Sequence, residues 1–169
     1  MYKVSLAIPI YNVSLFVERA LLSVLNQTYD NIEYLIVDDK WQDDSMDIVH
    51  RIIKDHPRGK DVRIIEHPYN IGLGATRNTA IDNAQGEYLF FMDSDDEIIP
   101  TCIEILVHKM QEHPVDFIAA SHMKKDLSGK TYPTYTYSPI LIQGDDLPVA
   151  QYRYAQNNDI YVMSWNKLY

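Results

Sequence analysis

The sequence predicts an α/β fold with a mostly parallel sheet flanked by helices, and three observations support it. Short apolar runs typical of buried strands alternate with amphipathic helical patterns over the first two thirds of the chain. Apolar residues make up 46% of the 169 residues, enough for the core of one domain. Acidic and polar residues follow several predicted strands, and the carboxyl ends of strands are where open α/β sheets bind ligands.

The first predicted elements are two strands and two helices. Val4–Ile10 is an apolar-rich run that predicts a buried strand, and Ser14 can cap the helix that follows. Tyr34–Val37 predicts the second strand. A second helix begins at about Ser45, and Pro57 marks its end.

The next elements repeat the alternation of strand and helix. Gly86 suits the position just after a helix, and Pro100 suits the first turn of one. The predicted elements are, in order, a strand at Val62–Ile65, a helix at Gly72–Ala84, a strand at Tyr88–Met92, a helix after Pro100 and a strand at Val115–Ala120.

The character of the chain changes after about Lys124. Thr131–Tyr137 alternates like an edge strand, because Pro133 cannot donate a hydrogen bond within a sheet interior. We therefore separate residues 1–123, an α/β region, from residues 124–169.

Three carboxylates lie directly after the fourth predicted strand. Tyr88–Met92 leads into Asp93, Asp95 and Asp96. Charge is costly beside a core unless it is paired or binds metal, and Mg²⁺ or Mn²⁺ prefers oxygen ligands. An acidic turn that caps the next helix is the alternative. Polar residues also end the first two strands, at Tyr11-Asn12 and Asp38-Asp39. We expect the three strand ends to form one site.

Arg77 lies on the apolar face of the predicted helix Gly72–Ala84. An arginine at such a position needs an anionic partner. A salt bridge to Asp93 or Asp95 and direct contact with a bound diphosphate are both open, and the two are compatible.

The formal net charge of −9 argues against nucleic-acid binding through a basic face. The six histidines show no metal-ligand spacing, so we expect most of them at the surface. No stretch has the length of a transmembrane helix, and the first residues lead into a strand and do not resemble a signal peptide.

An ordered series of motifs resembles the family 2 glycosyltransferases, which have the Rossmann-like GT-A fold. The matching segments are Ile8-Pro-Ile-Tyr-Asn12, Leu25-Asn-Gln-Thr-Tyr29, Ile36-Val-Asp-Asp39, Asn70-Ile-Gly-Leu-Gly-Ala-Thr-Arg-Asn78, and Gly86 to Asp96 with its DxD motif. Trp165-Asn-Lys-Leu-Tyr169 is similar to a segment common in polysaccharide-building members.

The resemblance implies a metal-dependent, inverting transfer of a sugar from a nucleoside-diphosphate sugar, with a UDP-sugar favoured, to a hydroxyl of a saccharide or lipid-linked acceptor in polysaccharide synthesis. Mn²⁺ or Mg²⁺ would bind Asp93 and Asp95. The enzyme would work in the cytoplasm or at the inner membrane face. The implied donor nucleotide-binding residues are Pro9, Tyr11, Asn12, Asp38, Asp39, Arg77, Asp93 and Ser94.

Two features depart from the family pattern. Lys40-Trp41-Gln42 stands where the family often has glycine-serine-threonine. The family's general base usually lies beyond the tryptophan-lysine-leucine segment, which here ends the chain at Tyr169. Residues 1–123 are thus expected to be a donor-binding region, and residues 124–169 the start of an incomplete acceptor-side region within a longer protein.

Two other functions remain open at this stage. A nucleotidyltransferase would also use a carboxylate-held metal, although no lysine-rich glycine loop is visible, and it would release pyrophosphate in place of a nucleoside diphosphate. A nucleotide-sugar-binding module without catalysis would fit the missing base motif.

Overall fold

A computed structural model describes residues 1–126, 128–135, 140–142, 144–146, 148 and 167–169. Its strands are β1 (Val4–Ile10), β2 (Ile32–Asp38), β3 (Val62–Glu66), β4 (Tyr88–Phe91), β5 (Ile118–Ala119), β6 (His122–Lys125), β7 (Thr131–Tyr135) and β8 (Lys167–Leu168). Its α-helices are α1 (Val17–Leu25), α2 (Ser45–Asp55), α3 (Leu73–Asn83) and α4 (Cys102–Glu112). Short 3-10 helices occupy Pro57–Asp61 and Gly144–Asp146.

The main sheet has the strand order β3-β2-β1-β4-β8-β5. β1 is parallel to both of its neighbours, with Ile10 opposite Asp38 of β2 and Ala7 opposite Phe91 of β4. β3 is parallel to β2, and β8 adds an antiparallel pair at Phe90 and Leu168. The predicted mostly parallel α/β fold is confirmed.

Both faces of the central strands are buried. Every residue of β1 and β2 is buried, and alternate residues of a strand point to opposite faces of the sheet. Helices therefore cover both faces, as long apolar runs predict for parallel strands. α3 packs on the face formed by Ala7, Leu35, Val37 and Phe91, where Ala80 completes the cluster.

Contacts divide the chain into two units. The first contains residues 1–118 together with Leu168 and Tyr169, and the second contains residues 119–167. In the second unit, β6 and β7 form an antiparallel pair in which Pro133 lies opposite Met123. The predicted strand at Thr131–Tyr137 is thus present through Tyr135, and residues 136 and 137 lie outside the described part of the chain.

Several predicted boundaries and roles were wrong. α1 begins at Val17 without a side-chain cap, because the side chain of Ser14, like its N–H (2.9 Å), hydrogen-bonds to the Asp43 carboxylate. Pro100 precedes α4 by two residues, and the fifth strand is only Ile118–Ala119. On α3 the buried residues are Thr76 and Ala80, while Leu73 and Ile81 are half exposed.

Gly86 is required by close packing and does not act as a left-handed helix cap. Its N–H donates to the Ser5 hydroxyl (2.8 Å), and α3 already ends at Asn83. A Cβ at Gly86 would lie 2.6 Å from the Ser5 nitrogen and 2.7 Å from the Lys3 oxygen. Both are backbone atoms of the segment that opens β1, so neither can move without shifting the strand.

Gln27 fixes the segment that follows the carboxylates. Its side chain, 2% exposed, donates to the Ile99 carbonyl (2.8 Å) and accepts from the Ile103 N–H (3.0 Å). The neighbouring Thr28 N–H donates to the Pro100 carbonyl (2.8 Å). The Gln-Thr pair after α1 therefore satisfies buried backbone groups at the start of α4, which otherwise would cost free energy.

In the described part of the chain, no helix is both long and apolar enough to cross a membrane.

We expect Gly86→Ala to lower the free energy of unfolding by about 1–3 kcal/mol, the usual cost of overpacking. Gly74→Ala is the matched control, because a Cβ at Gly74 in α3 has no neighbour within 4 Å. That control should be neutral or slightly stabilising, since alanine favours helix. Denaturant unfolding of both variants checks this; equal stabilities would contradict the packing role of Gly86.

Candidate functional site

A cavity of about 320 Å³ lies at the carboxyl edge of the sheet. The residues that line it come from the ends of β1, β2 and β4 and from the start of α3. They are Pro9, Tyr11, Val13, Asp39, Asn70, Leu73, Thr76, Asp93, Ser94 and Asp95. The expected convergence of three strand ends is therefore present within the first unit of the chain.

An exposed aromatic pair lies at the end of β1. The rings of Tyr11 and Trp41 have centroids 5.0 Å apart and an interplanar angle of 57°. Tyr11 is 40% exposed and lines the cavity, and Trp41 is 51% exposed. Large aromatic surfaces left open to solvent beside a cavity are suited to contact with a flat ligand ring.

The segment after Tyr11 is held in place by α2. The Val13 N–H donates to the Ser45 hydroxyl (3.0 Å), and the Ser14 N–H donates to the Asp43 carboxylate. Asp43 also accepts from the Ser45 hydroxyl (2.6 Å). Burial alone would raise the pKa of Asp43, but these hydrogen bonds outweigh it and lower the pKa below the ordinary value.

The Asp39 carboxylate, at the end of β2, is fully engaged by other parts of the chain. Oδ1 accepts from His67 Nδ1 (2.8 Å) and the Ile71 N–H (2.9 Å). Oδ2 accepts from Asn70 Nδ2 (2.8 Å) and the Gly72 N–H (2.9 Å). Burial opposes ionisation of Asp39, yet the hydrogen bonds from His67, Ile71 and Gly72 lower its pKa overall.

Asp38, the neighbour of Asp39, does not line the cavity and is paired with Lys40. Its carboxylate accepts from the Lys40 backbone N–H (2.9 Å) and the Lys40 ammonium (3.0 Å), which also binds Glu66 (2.5 Å). Lys40 has a positive φ of 50°, so the chain turns sharply there. The residue that departs from the glycine-serine-threonine pattern thus forms an ion pair with the ends of β2 and β3.

The carboxylates after β4 lie on one loop. Asp93 and Asp95 line the cavity, and the Asp93 Oδ1 accepts from Arg77 Nη2 at 2.7 Å. The salt bridge predicted for Arg77 is therefore present, and Arg77 itself does not line the cavity. Arg19 of α1 reaches the same loop, donating to the Asp95 carbonyl at 3.4 Å.

The Asp96 carboxyl is affected by burial and by its acidic neighbours. Partial burial of its carboxyl, and the charges of Asp95 and Asp93, raise the pKa of Asp96 to about 6. Arg19 acts in the opposite direction but does not cancel the effect. Burial and the two neighbouring carboxylates therefore outweigh Arg19 at Asp96.

Most of the sequence-predicted residues meet at the cavity, but not all. Pro9, Tyr11, Asp39, Asp93, Ser94 and Asp95 line it, whereas Asn12, Asp38 and Arg77 do not. Asn12 is exposed in the left-handed region with φ 52°. What each of these residues binds remains a prediction.

Sequence reasoning missed His67, Asn70, Leu73 and Thr76. His67 was expected at the surface with most histidines, but it is 6% exposed and bonded to Asp39. For Asn70 there was a signal, because it belongs to the asparagine-glycine motif before α3. For His67 there was no local signal, because its partner Asp39 lies 28 residues away in the sequence.

The fold and the cavity define a class of protein: an α/β protein with a cavity at the carboxyl ends of its parallel strands, the place where open α/β sheets bind ligands. A family model for glycosyl transferase family 2 matches residues 5–164. The chain belongs to this family.

Individual proteins are similar over most of this chain. An uncharacterized glycosyltransferase of Haemophilus influenzae is 32% identical over 86% of this chain and 59% of its own length. The UDP-Glc:α-D-GlcNAc-diphosphoundecaprenol β-1,3-glucosyltransferase WfaP of Escherichia coli is 37% identical over 75% of this chain and 49% of its own. The chain thus spans about half the length of these relatives.

Solved structures of similar fold agree with this family. The crystal structure of S. aureus TarS 1–349 in complex with UDP-GlcNAc superposes with a TM-score of 0.67 at 27% identity. The match covers 78% of this chain and 37% of that one. The GT-A architecture is therefore shared.

We expect the Asp96 carboxyl to titrate near pH 6, the value that its surroundings produce. Asp95→Asn removes a neighbouring negative charge and should lower the pKa of Asp96 toward its ordinary value. Arg19→Gln removes a positive charge and should raise it. Carboxyl ¹³C NMR titration measures both shifts, with Asp82→Asn, on the exposed side of α3, as the control. Unchanged titration in Asp95→Asn would contradict the charge coupling.

Proposed function

We propose that the protein is a glycosyltransferase that moves a sugar from a nucleoside-diphosphate sugar to a hydroxyl acceptor. The observation that carries the proposal is the cavity, where an aromatic side chain that follows β1 and two carboxylates from the loop after β4 line one space. A UDP-sugar is the favoured donor, since WfaP is named for UDP-Glc and TarS binds UDP-GlcNAc.

The nucleobase would contact the Tyr11 end of the cavity. Tyr11 and Trp41 together present an exposed aromatic surface there. Stacking on such a surface tolerates different bases, since every base has a π face. Base selection would then depend on polar groups beside the rings, and Asn70 is a cavity residue with an amide.

The diphosphate would lie against Asp93, Ser94 and Asp95. Ser94 is only 6% exposed, so the loop that carries it packs against the core. Arg77 holds one Asp93 oxygen at 2.7 Å and orients that carboxylate. A fixed loop of this kind can position the leaving group without reorganisation during the reaction.

Asp93 and Asp95 fit a hard divalent cation. Their oxygens are the donors that Mg²⁺ and Mn²⁺ prefer. Over the described ranges of the chain, no three acidic, histidine or cysteine side chains form a metal-binding group. Diphosphate oxygens and water would therefore complete the coordination, as is usual for Mg²⁺. When bound, the ion would stabilise negative charge on the leaving diphosphate.

The reaction would invert the anomeric centre. An acceptor hydroxyl oxygen would form a bond to the anomeric carbon while the bond from that carbon to the diphosphate oxygen breaks. The electron pair would leave with the nucleoside diphosphate, and a general base would take the hydroxyl proton.

The acceptor would be a growing saccharide or a lipid-linked sugar, consistent with the lipid diphosphate in the name of WfaP. The reaction would take place in the cytoplasm or at the inner membrane face, where nucleotide sugars are supplied.

Calorimetry with UDP, GDP and dTDP, in Mn²⁺ and in chelator, tests the donor site. We expect one nucleotide to bind more tightly with Mn²⁺. Asp95→Asn should weaken this binding by about tenfold or more, because even residues that merely orient metal ligands contribute that much. Asp82→Asn is the matched control. Failure of all three nucleotides to bind would reject the donor site, and binding indifferent to chelator would reject the metal.

The aromatic pair gives a second test. The chain has two tryptophans, so Trp165→Phe leaves Trp41 as the only indole emitter. We expect nucleotide binding to change its emission, because the Trp41 ring contacts the cavity residue Tyr11. Tyr11→Leu should weaken nucleotide binding by about fivefold or more, as lost base stacking does elsewhere. Tyr132→Leu, in the second unit, should leave nucleotide affinity unchanged. A larger loss of affinity in Tyr132→Leu than in Tyr11→Leu would contradict the assignment of the nucleobase to the Tyr11 end of the cavity.

A further inference from the structure

Three polar side chains form a stripe along one side of α1 and the turn that ends it. Arg19, Ser23 and Gln27 follow one another at intervals of four residues, which places them on one face of a helix. The Gln27 N–H donates to the Val24 carbonyl (3.3 Å), so the last turn continues past the end of α1. These three residues, the polar stripe, all contact the segment that leads from Asp95 into α4.

The buried end of the polar stripe is Gln27, which is 2% exposed and donates to the Ile99 carbonyl at 2.8 Å. One turn earlier, the Ser23 hydroxyl donates to the Ala20 carbonyl (2.8 Å) and accepts from the Ile98 N–H (3.2 Å). Ile98 belongs to neither a helix nor a strand. The hydroxyl therefore supplies a partner that regular secondary structure would otherwise provide.

The exposed end of the polar stripe is Arg19, which contacts the Asp95 backbone itself. Nη2 donates to the Asp95 carbonyl at 3.4 Å, and Nε lies 3.4 Å from the Glu97 carboxylate. The guanidinium carbon lies 5.0 Å from the centre of the Phe16 ring, an arrangement that favours one orientation of the arginine. The Arg19 side chain is 47% exposed, so each of these contacts is weak alone. Asp95 therefore depends on the whole stripe.

The spacing of the polar stripe matches that of an extended chain. The helix advances about 12 Å from Arg19 to Gln27, and the segment from Asp95 to Ile99 spans about 13 Å when it is extended. The contacts also follow one another in the same order along the helix and along the segment. The stripe can therefore hold the segment in one register over its length.

Asp95 needs this support more than Asp93 does. Arg77 of α3 holds the Asp93 carboxylate directly, at 2.7 Å. Asp95 is exposed, and among the described residues no side chain donates a hydrogen bond to its carboxylate. The position of that carboxylate is thus set by the backbone that carries it, and this backbone is what the polar stripe contacts.

We propose that Arg19 and Ser23 are positioning residues for Asp95, so that α1 holds one carboxylate of the cavity while α3 holds the other. The inference rests on the proposed function, in which Asp95 faces a divalent cation. Neither Arg19 nor Ser23 is among the described residues that line the cavity. Their effect on a ligand must therefore pass through the Asp95 loop. Gln27 is left unchanged in the test, because its removal would leave buried backbone groups unpaired.

The first arm of the test needs no ligand. Relaxation of ¹⁵N in the full chain gives the order parameter of the Asp95 N–H, which we expect near the value of about 0.85 for rigid backbone. The double variant Arg19→Gln/Ser23→Ala should lower it toward about 0.6, as in flexible segments, and leave that of Asp93 unchanged. Arg19→Lys/Ser23→Thr keeps the charge and the hydroxyl and should preserve most of the order. A flexible Asp95 in the unaltered chain, or an unchanged one in the double variant, would overturn the proposal.

The second arm measures how much Mn²⁺ nucleotide binding requires. For whichever of UDP, GDP or dTDP binds the unaltered chain, the Mn²⁺ concentration at half-maximal binding should rise about tenfold in the double variant, as when a residue that orients a metal ligand is lost. Saturating Mn²⁺ should restore the affinity, and Arg19→Lys/Ser23→Thr should show a smaller shift. Asn26→Ala is the matched control on the same helix, because its amide donates to the Leu22 carbonyl of α1 itself (2.9 Å).

The outcomes separate this inference from the proposed function. A lowered order parameter with an unchanged Mn²⁺ requirement would overturn the positioning role and leave the donor site intact. A loss of affinity that saturating Mn²⁺ does not restore would mean a structural role alone, and would overturn the inference as well. If no nucleotide binds the unaltered chain with Mn²⁺, the donor site fails and the positioning role fails with it.

Discussion

The parallel pairing of β1 with both β2 and β4 is the constraint on which the site depends. Parallel neighbours all leave the sheet at the same edge, so the residues after Ile10, Asp38 and Phe91 must emerge together. The register fixes where each neighbour of β1 ends. β2 pairs with β1 as far as Ile10, whereas β4 pairs with β1 only as far as Ala7. This offset leaves room above β4, where Asp93 to Asp95 face the same cavity as Tyr11 and Asp39. A different register would move the carboxylates away from the aromatic end.

Each loop at this edge is fixed by a polar side chain from another part of the chain; Asp39 and Gln27 are buried, and Asp43 is half-buried. Asp43 holds the turn after β1, Asp39 holds the turn before α3, and Gln27 holds the segment that leads from the carboxylates into α4. Irregular backbone needs such partners, because its buried N–H and C=O groups have none within the loop. The residues that stabilise the fold are therefore neighbours of those proposed to bind the donor. Substitutions there would change stability and binding together, so matched conservative variants are needed to separate the two effects.

The apolar runs and the polar residues that follow them were enough to predict the central strands. They also predicted that Tyr11, Asp39 and Asp93 lie close together. These features depend on local patterns and on one rule of parallel sheets. The roles of His67, Gly86 and Ser14 were missed or wrong because each is set by a distant partner: Asp39, the backbone at Ser5, and Asp43 respectively. A surface histidine and a buried one have the same local sequence pattern. Only the tertiary arrangement decides which way such polar residues turn.

The charge of the site argues for the cation in the proposed reaction. Asp93, Asp95 and Asp96 crowd one loop, and burial, followed by the charges of Asp95 and Asp93, raises the pKa of Asp96. A diphosphate would bring more negative charge into this space. Arg77 donates from Nη2 to Asp93 at 2.7 Å, and Arg19 contacts the Asp95 carbonyl and the Glu97 carboxylate. Each of these two arginines thus already pairs with a protein group, although the buried Nε of Arg77 has no hydrogen-bond partner in the described part of the chain. A divalent cation between the diphosphate and the carboxylates would turn two repulsive surfaces into ligands of one ion, so the carboxylates of this loop would then favour donor binding.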